Sequence, residues 1–146
     1  MKIYLDNCCY NRPYDDQSQI RISLEAQAKL HIQSEIKNGK YELVSSYILD
    51  YEVNRNPHTN TKEGIMDFLE NNASIYVSDD KKDEIEEKAE KIQSTGVKNM
   101  DSLHVSCAIM ADADYFLTTD DRLLKYQSEN IKIVSPVDFV SEMEDE

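Results

Sequence analysis

Apolar positions along the chain alternate between short continuous runs and helical spacings. Ile3-Tyr4-Leu5 is a brief run closed by Asp6, which reads as a strand. After an irregular stretch holding Pro13, the segment from Ser18 to Asn38 places Ile20, Leu24, Ala28, Ile32 and Ile36 four residues apart. That stripe predicts an amphipathic helix, with Gly39 as its C-cap. Tyr41 to Ser45 reads as a strand, and Tyr47 to Arg55 as a short helix stopped by Pro57. Asn60 and Glu63 have the spacing of a capping box that would open a helix through Asn71. Ser74 to Ser78 is a third strand, Asp80 to Thr95 a charged helix ended by Gly96, and Asn99 to Ala111 a helix with few charges, hence buried. Tyr115 to Thr119 and Lys132 to Ser135 supply the last strands around a short helix at Arg122 to Tyr126, and Pro136 starts a final helical turn. Strand–helix alternation of this kind predicts one α/β domain over residues 1–146 with a mostly parallel sheet.

Composition narrows the class. With 146 residues, 40% hydrophobic and 31% charged, the chain suits one soluble domain with a proper core. No apolar run approaches the roughly 20 residues of a membrane span, so no membrane role is expected. The first charge comes too early for a signal peptide, and Cys8, Cys9 and Cys107 make neither a zinc spacing nor a disulfide framework. A reduced, cytoplasmic protein is the expectation. The three glycines form no phosphate-cradling loop. A net charge of −13 disfavours a global nucleic-acid surface, so any such surface must be local. Much of that charge lies in Asp79-Asp80, in Asp83 to Glu90 and in the tail Glu142 to Glu146, which read as solvated faces and a frayed end.

Four other acids fall at strand ends or helix starts: Asp6, Glu52, Asp101 and Asp120. In an open parallel sheet the residues just beyond the strands' carboxyl ends converge on one crevice. Carboxylates gathered there repel one another, and a divalent cation is the usual remedy. Mg²⁺ or Mn²⁺ would take one or two carboxylates directly and leave positions open for phosphate oxygens and an activated water.

The motifs Tyr4-Leu5-Asp6-Asn7, Ser45-Ser46 followed by Glu52, Met100-Asp101-Ser102-Leu103-His104, and Thr118-Thr119-Asp120-Asp121 keep an informative order and spacing. Together they resemble the PIN-domain nucleases over nearly the whole chain. The resemblance implies a three-layer sandwich and a Mg²⁺- or Mn²⁺-dependent endoribonuclease. Asp6, Glu52, Asp101 and Asp120 would be its metal ligands and catalytic residues, with Thr118 hydrogen-bonded beside them. Small stand-alone relatives are often toxins of toxin–antitoxin pairs. RNA and an antitoxin-like protein are therefore the implied partners, with a homodimer left open.

Within this pattern Glu52 competes with Asp50, and only one of the two can face the site from a helix. Family spacing favours Glu52. Asp120 is preferred to Asp121, which would then cap the short helix. His104 reads as a core histidine rather than a base, and Cys107 as core. At least one of Cys8 and Cys9 should point inward, although a thiol is too soft for Mg²⁺. Asn7 suits an outer-shell amide. Arg12 and Tyr14, on the loop after the first acid, suit phosphate clamping and base stacking, and Arg55, Lys98, Arg122 and Lys125 are further phosphate candidates. A phosphoacceptor receiver domain shares the layered architecture, but it leaves Glu52 and Asp101 unexplained and lacks a lysine at Ser135-Pro136. A haloacid-dehalogenase-type phosphatase needs an Asp where Cys8 stands. A catalytically weak module that only binds nucleic acid or protein is the remaining alternative.

Overall fold

The computed structural model describes residues 1–144. Its elements run β1 (Lys2–Leu5), α1 (Asn7–Asn11), α2 (Ile20–Lys37), β2 (Glu42–Ser46), α3 (Tyr47–Asn54), α4 (Thr59–Asn72), β3 (Ala73–Val77), α5 (Lys82–Gln93), α6 (Asn99–Met110), β4 (Tyr115–Leu117), α7 (Asp121–Leu124), β5 (Lys132–Val134) and α8 (Pro136–Glu144). All strand pairs are parallel, in the order β3-β2-β1-β4-β5. The sheet expected to be mostly parallel is wholly so among the described residues.

A parallel sheet is covered on both faces, and its central strands therefore read as unbroken apolar runs. Along β1, Ile3 and Leu5 enter one core cluster with Ile32, Leu43, Leu117 and Phe139. Tyr4, pointing the other way, enters a second cluster with Val44, Ile85, Val105 and Phe116. Tyr4 stacks on Phe116 across the β1–β4 pair, with ring centroids 5.3 Å apart. The two clusters on opposite faces make the three layers.

From β1 the chain winds through β2 and β3 toward one edge, then returns to lay β4 and β5 on the other side. The reversal falls between β1 and β4, and in open α/β sheets ligands bind in the crevice outside the carboxyl ends at that switch point. Receiver-type domains use the order 2-1-3-4-5, so this topology removes that rival.

Four local expectations are corrected. The stretch after Asp6 is not irregular: Asp6 caps α1, and Arg12–Tyr14 adds a 3₁₀ turn. The expected stripe on α2 is buried only at its C-terminal end. Ile20 and Leu24 are 77% and 50% exposed, while Glu25, Ala26, Lys29, Ile32 and Ile36 face inward. Here the first turns of α2 cover ion-paired and aromatic groups rather than apolar sheet. Glu25 pairs with Arg12, and Lys29 lies over the rings of Tyr10 and Phe68. The Asn60 capping box does not form, because α4 starts at Thr59 after His58, whose N–H is held by Asn56 Oδ1 at 2.9 Å. Finally, α8 is nine residues long rather than one turn, and it takes in Glu142 to Glu144 of the supposed frayed tail. Residues 145 and 146 lie outside the described residues.

Candidate metal centre

Asp6 ends β1 at the switch point and is 5% exposed. Its Oδ1 accepts the Asn7 N–H at 2.8 Å, which caps α1. Its Oδ2 accepts the Thr118 hydroxyl at 3.0 Å, and that same hydroxyl accepts the Asp120 N–H at 3.1 Å. Thr118 therefore ties the ends of β1 and β4 together, in keeping with its expected place beside the acids. Cys8 is the inward thiol toward the acids: its Sγ lies 3.4 Å from Asp6 Oδ2 and accepts the Thr119 N–H at 3.3 Å. Cys9 is buried and donates to the Leu117 carbonyl.

Glu52 lies on the second turn of α3, whose first turn is capped by Ser46. Asp50 faces elsewhere, accepting the Tyr76 hydroxyl at 2.7 Å, so the preference for Glu52 agrees with the helix geometry. Glu52 accepts a hydrogen bond from His104 Nε2, and Asn7 Nδ2 approaches its other oxygen at 3.5 Å. His104, 0% exposed, is one turn after Asp101 on α6. Its Nδ1 bonds the Tyr4 hydroxyl at 2.6 Å, and that hydroxyl bonds Ser46 Oγ at 2.7 Å.

Burial pulls the His104 pKa down, but the Glu52 bond and the charges of Asp6, Glu52 and Asp101 outweigh it and leave it raised. Burial would raise Glu52, yet the same bond and the His104 charge leave it lowered. The two shifts agree in direction, each group favouring the charged form of the other across the shared hydrogen bond. The expectation of a satisfied core histidine holds for its burial. It missed the direct contact with Glu52, which the i, i+3 step from Asp101 could have suggested.

The candidate ligand atoms of Asp6, Glu52 and His104 all lie within 4.8 Å of one another. Asp101 senses the same group: burial first, then the charges of Asp6 and Asp120, push its carboxyl up to about 6. Asp120 Oδ1 accepts the Arg122 N–H at 2.9 Å and so caps α7 itself. Asp121 is not the cap; it pairs with Arg21 at 2.7 Å.

A hard cation fits this donor set. The available oxygens are carboxylates, and Asn7 Oδ1 is buried with no hydrogen-bond partner among the described residues, an acceptor that a cation or its water would satisfy. His104 Nε2 is engaged by Glu52, which makes the imidazole an orienting partner rather than a ligand.

Two clefts flank the acids. One, of about 1140 Å³, includes Asn7, Glu52, Asn11, Tyr14, Arg55 and Asn56. The other, of about 470 Å³, includes Asp101, Lys98, Arg122, Lys125 and Tyr126. Tyr14, Arg55 and Arg122 line these clefts. Arg12 lines neither, and Asp15 at 2.9 Å and Glu25 at 3.0 Å occupy its guanidinium.

No family model and no curated protein sequence matches the chain. Among solved structures, it is similar to a chain of VapBC2 from Rickettsia felis, bound in its crystal to a DNA fragment from their promoter. That match has 16% identity, covers 91% of this chain and 97% of that one, and has a TM-score of 0.55. It is also similar to a chain of FitAcB from Neisseria gonorrhoeae, at 17% identity over 92% of this chain and 97% of that one, with a TM-score of 0.52. The PIN-domain membership suggested by the motifs is therefore withdrawn. No family model carries it, and neither VapBC2 on promoter DNA nor FitAcB is described as such a nuclease. At these identities the likeness is one of fold. No described helix is long and apolar enough to cross a membrane.

Proposed function

We propose that this chain is a divalent-metal-dependent endoribonuclease, working as the toxin of a toxin–antitoxin pair. The observation that carries the hydrolytic reading is the gathering of Asp6 and Glu52 about His104 at the switch point of the sheet, with Asp101 one turn before that histidine. The charges of Asp6, Asp120 and Glu52 add to burial in raising the cost of ionising Asp101, and Asn7 leaves a buried acceptor unfilled. Mg²⁺ or Mn²⁺ bound there would supply a water acidic enough to attack near neutral pH and would offset charge on a phosphate oxygen.

The chain's own residues set the geometry. Thr118 fixes Asp6 and the Asp120 backbone in one frame. His104, backed by Tyr4 and Ser46, holds Glu52. Asn7 would offer its unpartnered amide oxygen to a bound cation or its water. Asp120 would complete the set from the β4 end. Amides and a half-exposed tyrosine in the larger cleft suit unpaired bases, which supports RNA as substrate. Likeness in fold to chains of VapBC2 and FitAcB supports a protein partner.

A second reading, a nucleic-acid-binding module without turnover, is favoured by the promoter DNA in the VapBC2 structure. Incubation with single-stranded RNA decides between them. The nuclease reading requires cleavage that chelator abolishes and Mn²⁺ restores, and that Asp6→Asn and Asp120→Asn each remove. Binding without cleavage, across varied RNAs and both metals, would leave the module.

A further inference from the structure

Three cations meet in the smaller cleft. Lys98 precedes α6, and Arg122 and Lys125 come from α7 and its end. Among the described residues none of them has an ion-pair partner, whereas Arg12, Arg21, Lys40 and Lys82 all do. Asp121, the acid beside Arg122 in sequence, is taken by Arg21. In a chain of net charge −13, these three cations outnumber the single acid, Asp101, that lines the same cleft. An anion from outside would offset the excess.

The larger cleft has a different chemistry. Asn56 Nδ2 donates to Asn11 Oδ1 at 3.3 Å while its own Oδ1 holds the His58 N–H, so the two amides are fixed relative to one another. The Asn11 amide nitrogen has no partner among the described residues. Tyr14 is 56% exposed, and a Cβ at Gly64 would come within 2.9 Å of its hydroxyl, so the glycine lets that ring lean on α4 at the cleft. Amide edges read base edges, and open tyrosine faces stack on bases. Among the described residues that line it, Arg55 is the single arginine or lysine.

Glu52 and Asn7 border the larger cleft and Asp101 borders the smaller, and Asp101 feels the charge of Glu52, so the acids stand between the two clefts. We infer that the clefts form one track for an unpaired nucleic-acid strand. The Asn11–Asn56–Tyr14 cleft takes a base, and the Lys98–Arg122–Lys125 cleft takes phosphates on the other side of the acids. This rests on the nuclease reading only for where the strand would be cut.

The test is fluorescence anisotropy of a labelled single-stranded RNA in chelator, over a range of salt, with the duplex of the same sequence alongside. Lys98→Glu with Lys125→Glu should weaken binding roughly tenfold at low salt and flatten the salt slope by about 1.4, the value for two lost contacts on a single strand. Asn11→Ala with Asn56→Ala should leave that slope unchanged but reduce the spread of affinity among homopolymers. The single strand should bind more tightly than the duplex. An unchanged slope in a folded Lys98→Glu, Lys125→Glu protein would overturn the proposal, as would preference for duplex. Strand binding of this pattern without metal-dependent cleavage would support the track while removing the nuclease reading. Cleavage with an unaltered KM in the charge-reversed protein would retain the nuclease reading and remove the track.

Discussion

His104 holds Glu52 from beneath: its Nε2–H is donated to the carboxylate, while its Nδ1 is anchored on the Tyr4 hydroxyl at 2.6 Å inside the sheet–helix core. The link joins a wholly buried residue of β1 to a half-buried carboxylate at the crevice. It makes the position of Glu52 a property of the core rather than of its helix alone.

Replacing the imidazole should therefore be felt twice. His104→Ala leaves the Tyr4 hydroxyl short of a partner and opens a cavity, so it should cost about 3 kcal/mol in denaturant unfolding. His104→Gln should fold at reduced temperature yet bind Mn²⁺ roughly 10- to 100-fold more weakly by calorimetry, as expected when a partner that orients a ligand is lost. Wild-type Mn²⁺ affinity in folded His104→Gln would show that the bond does not position Glu52.

Asp101 gives the metal-free protein a pH signature. Its folded pKa is about 6 against an ordinary 3.8. The folded state thus binds this proton more tightly than the unfolded chain does. Stability from this group is greatest below the unfolded value, is lost as pH rises through about 6, and stays lost above. Asp101→Asn should accordingly stabilise the apo protein near pH 7 by on the order of 2 kcal/mol. The difference from wild type should shrink as pH falls from about 6 to about 4. A constant difference across that range, read as melting temperature, would mean that Asp101 is not crowded by the other acids.

Arg12 tests a sequence expectation that the structure replaces. Its guanidinium bonds Glu25, whose side chain is only 4% exposed, with Arg21 a more distant second partner at 3.5 Å. Removing it strands a buried carboxylate, so Arg12→Ala should lose about 2 kcal/mol of stability. RNA binding should be unchanged at a temperature where the protein remains folded. Weakened RNA binding with unaltered stability would restore Arg12 to the substrate surface.

Legibility from sequence differed by type of signal. The central strands are legible because β1 and β4 are buried on both faces, which forces short apolar runs at Ile3-Tyr4-Leu5 and Tyr115-Phe116-Leu117. The acids at their ends followed from topology. What stayed hidden depended on partners distant in sequence. The buried face of α2 includes Glu25 and Lys29, and no periodicity rule reads a charge as core unless Arg12, Tyr10 and Phe68 are known to meet it. The five-residue α1 is too short for a pattern and exists through the Asp6 cap. The sequence points to Asp121 as the cap of α7 where Asp120 is the cap, because it does not show Arg21 drawing Asp121 away.

Asp6 carries two roles that substitution can separate. One oxygen caps α1 through the Asn7 N–H at 2.8 Å, and the other accepts from Thr118 at 3.0 Å. Asn caps a helix about as well as Asp, so Asp6→Asn keeps the cap while removing one of several mutually repelling charges. Its apo melting temperature should equal or exceed that of wild type, while Mn²⁺ affinity falls at least tenfold. Asp6→Ala loses the cap and the Thr118 bond together, and should cost roughly 1–3 kcal/mol in addition to the metal. Thermal melts with and without Mn²⁺ on the three proteins give the comparison. Mn²⁺ should raise the wild-type midpoint and leave both variants nearly unmoved. A large apo loss in Asp6→Asn would make the carboxylate structural, and full Mn²⁺ stabilisation of either variant would take Asp6 out of the metal centre.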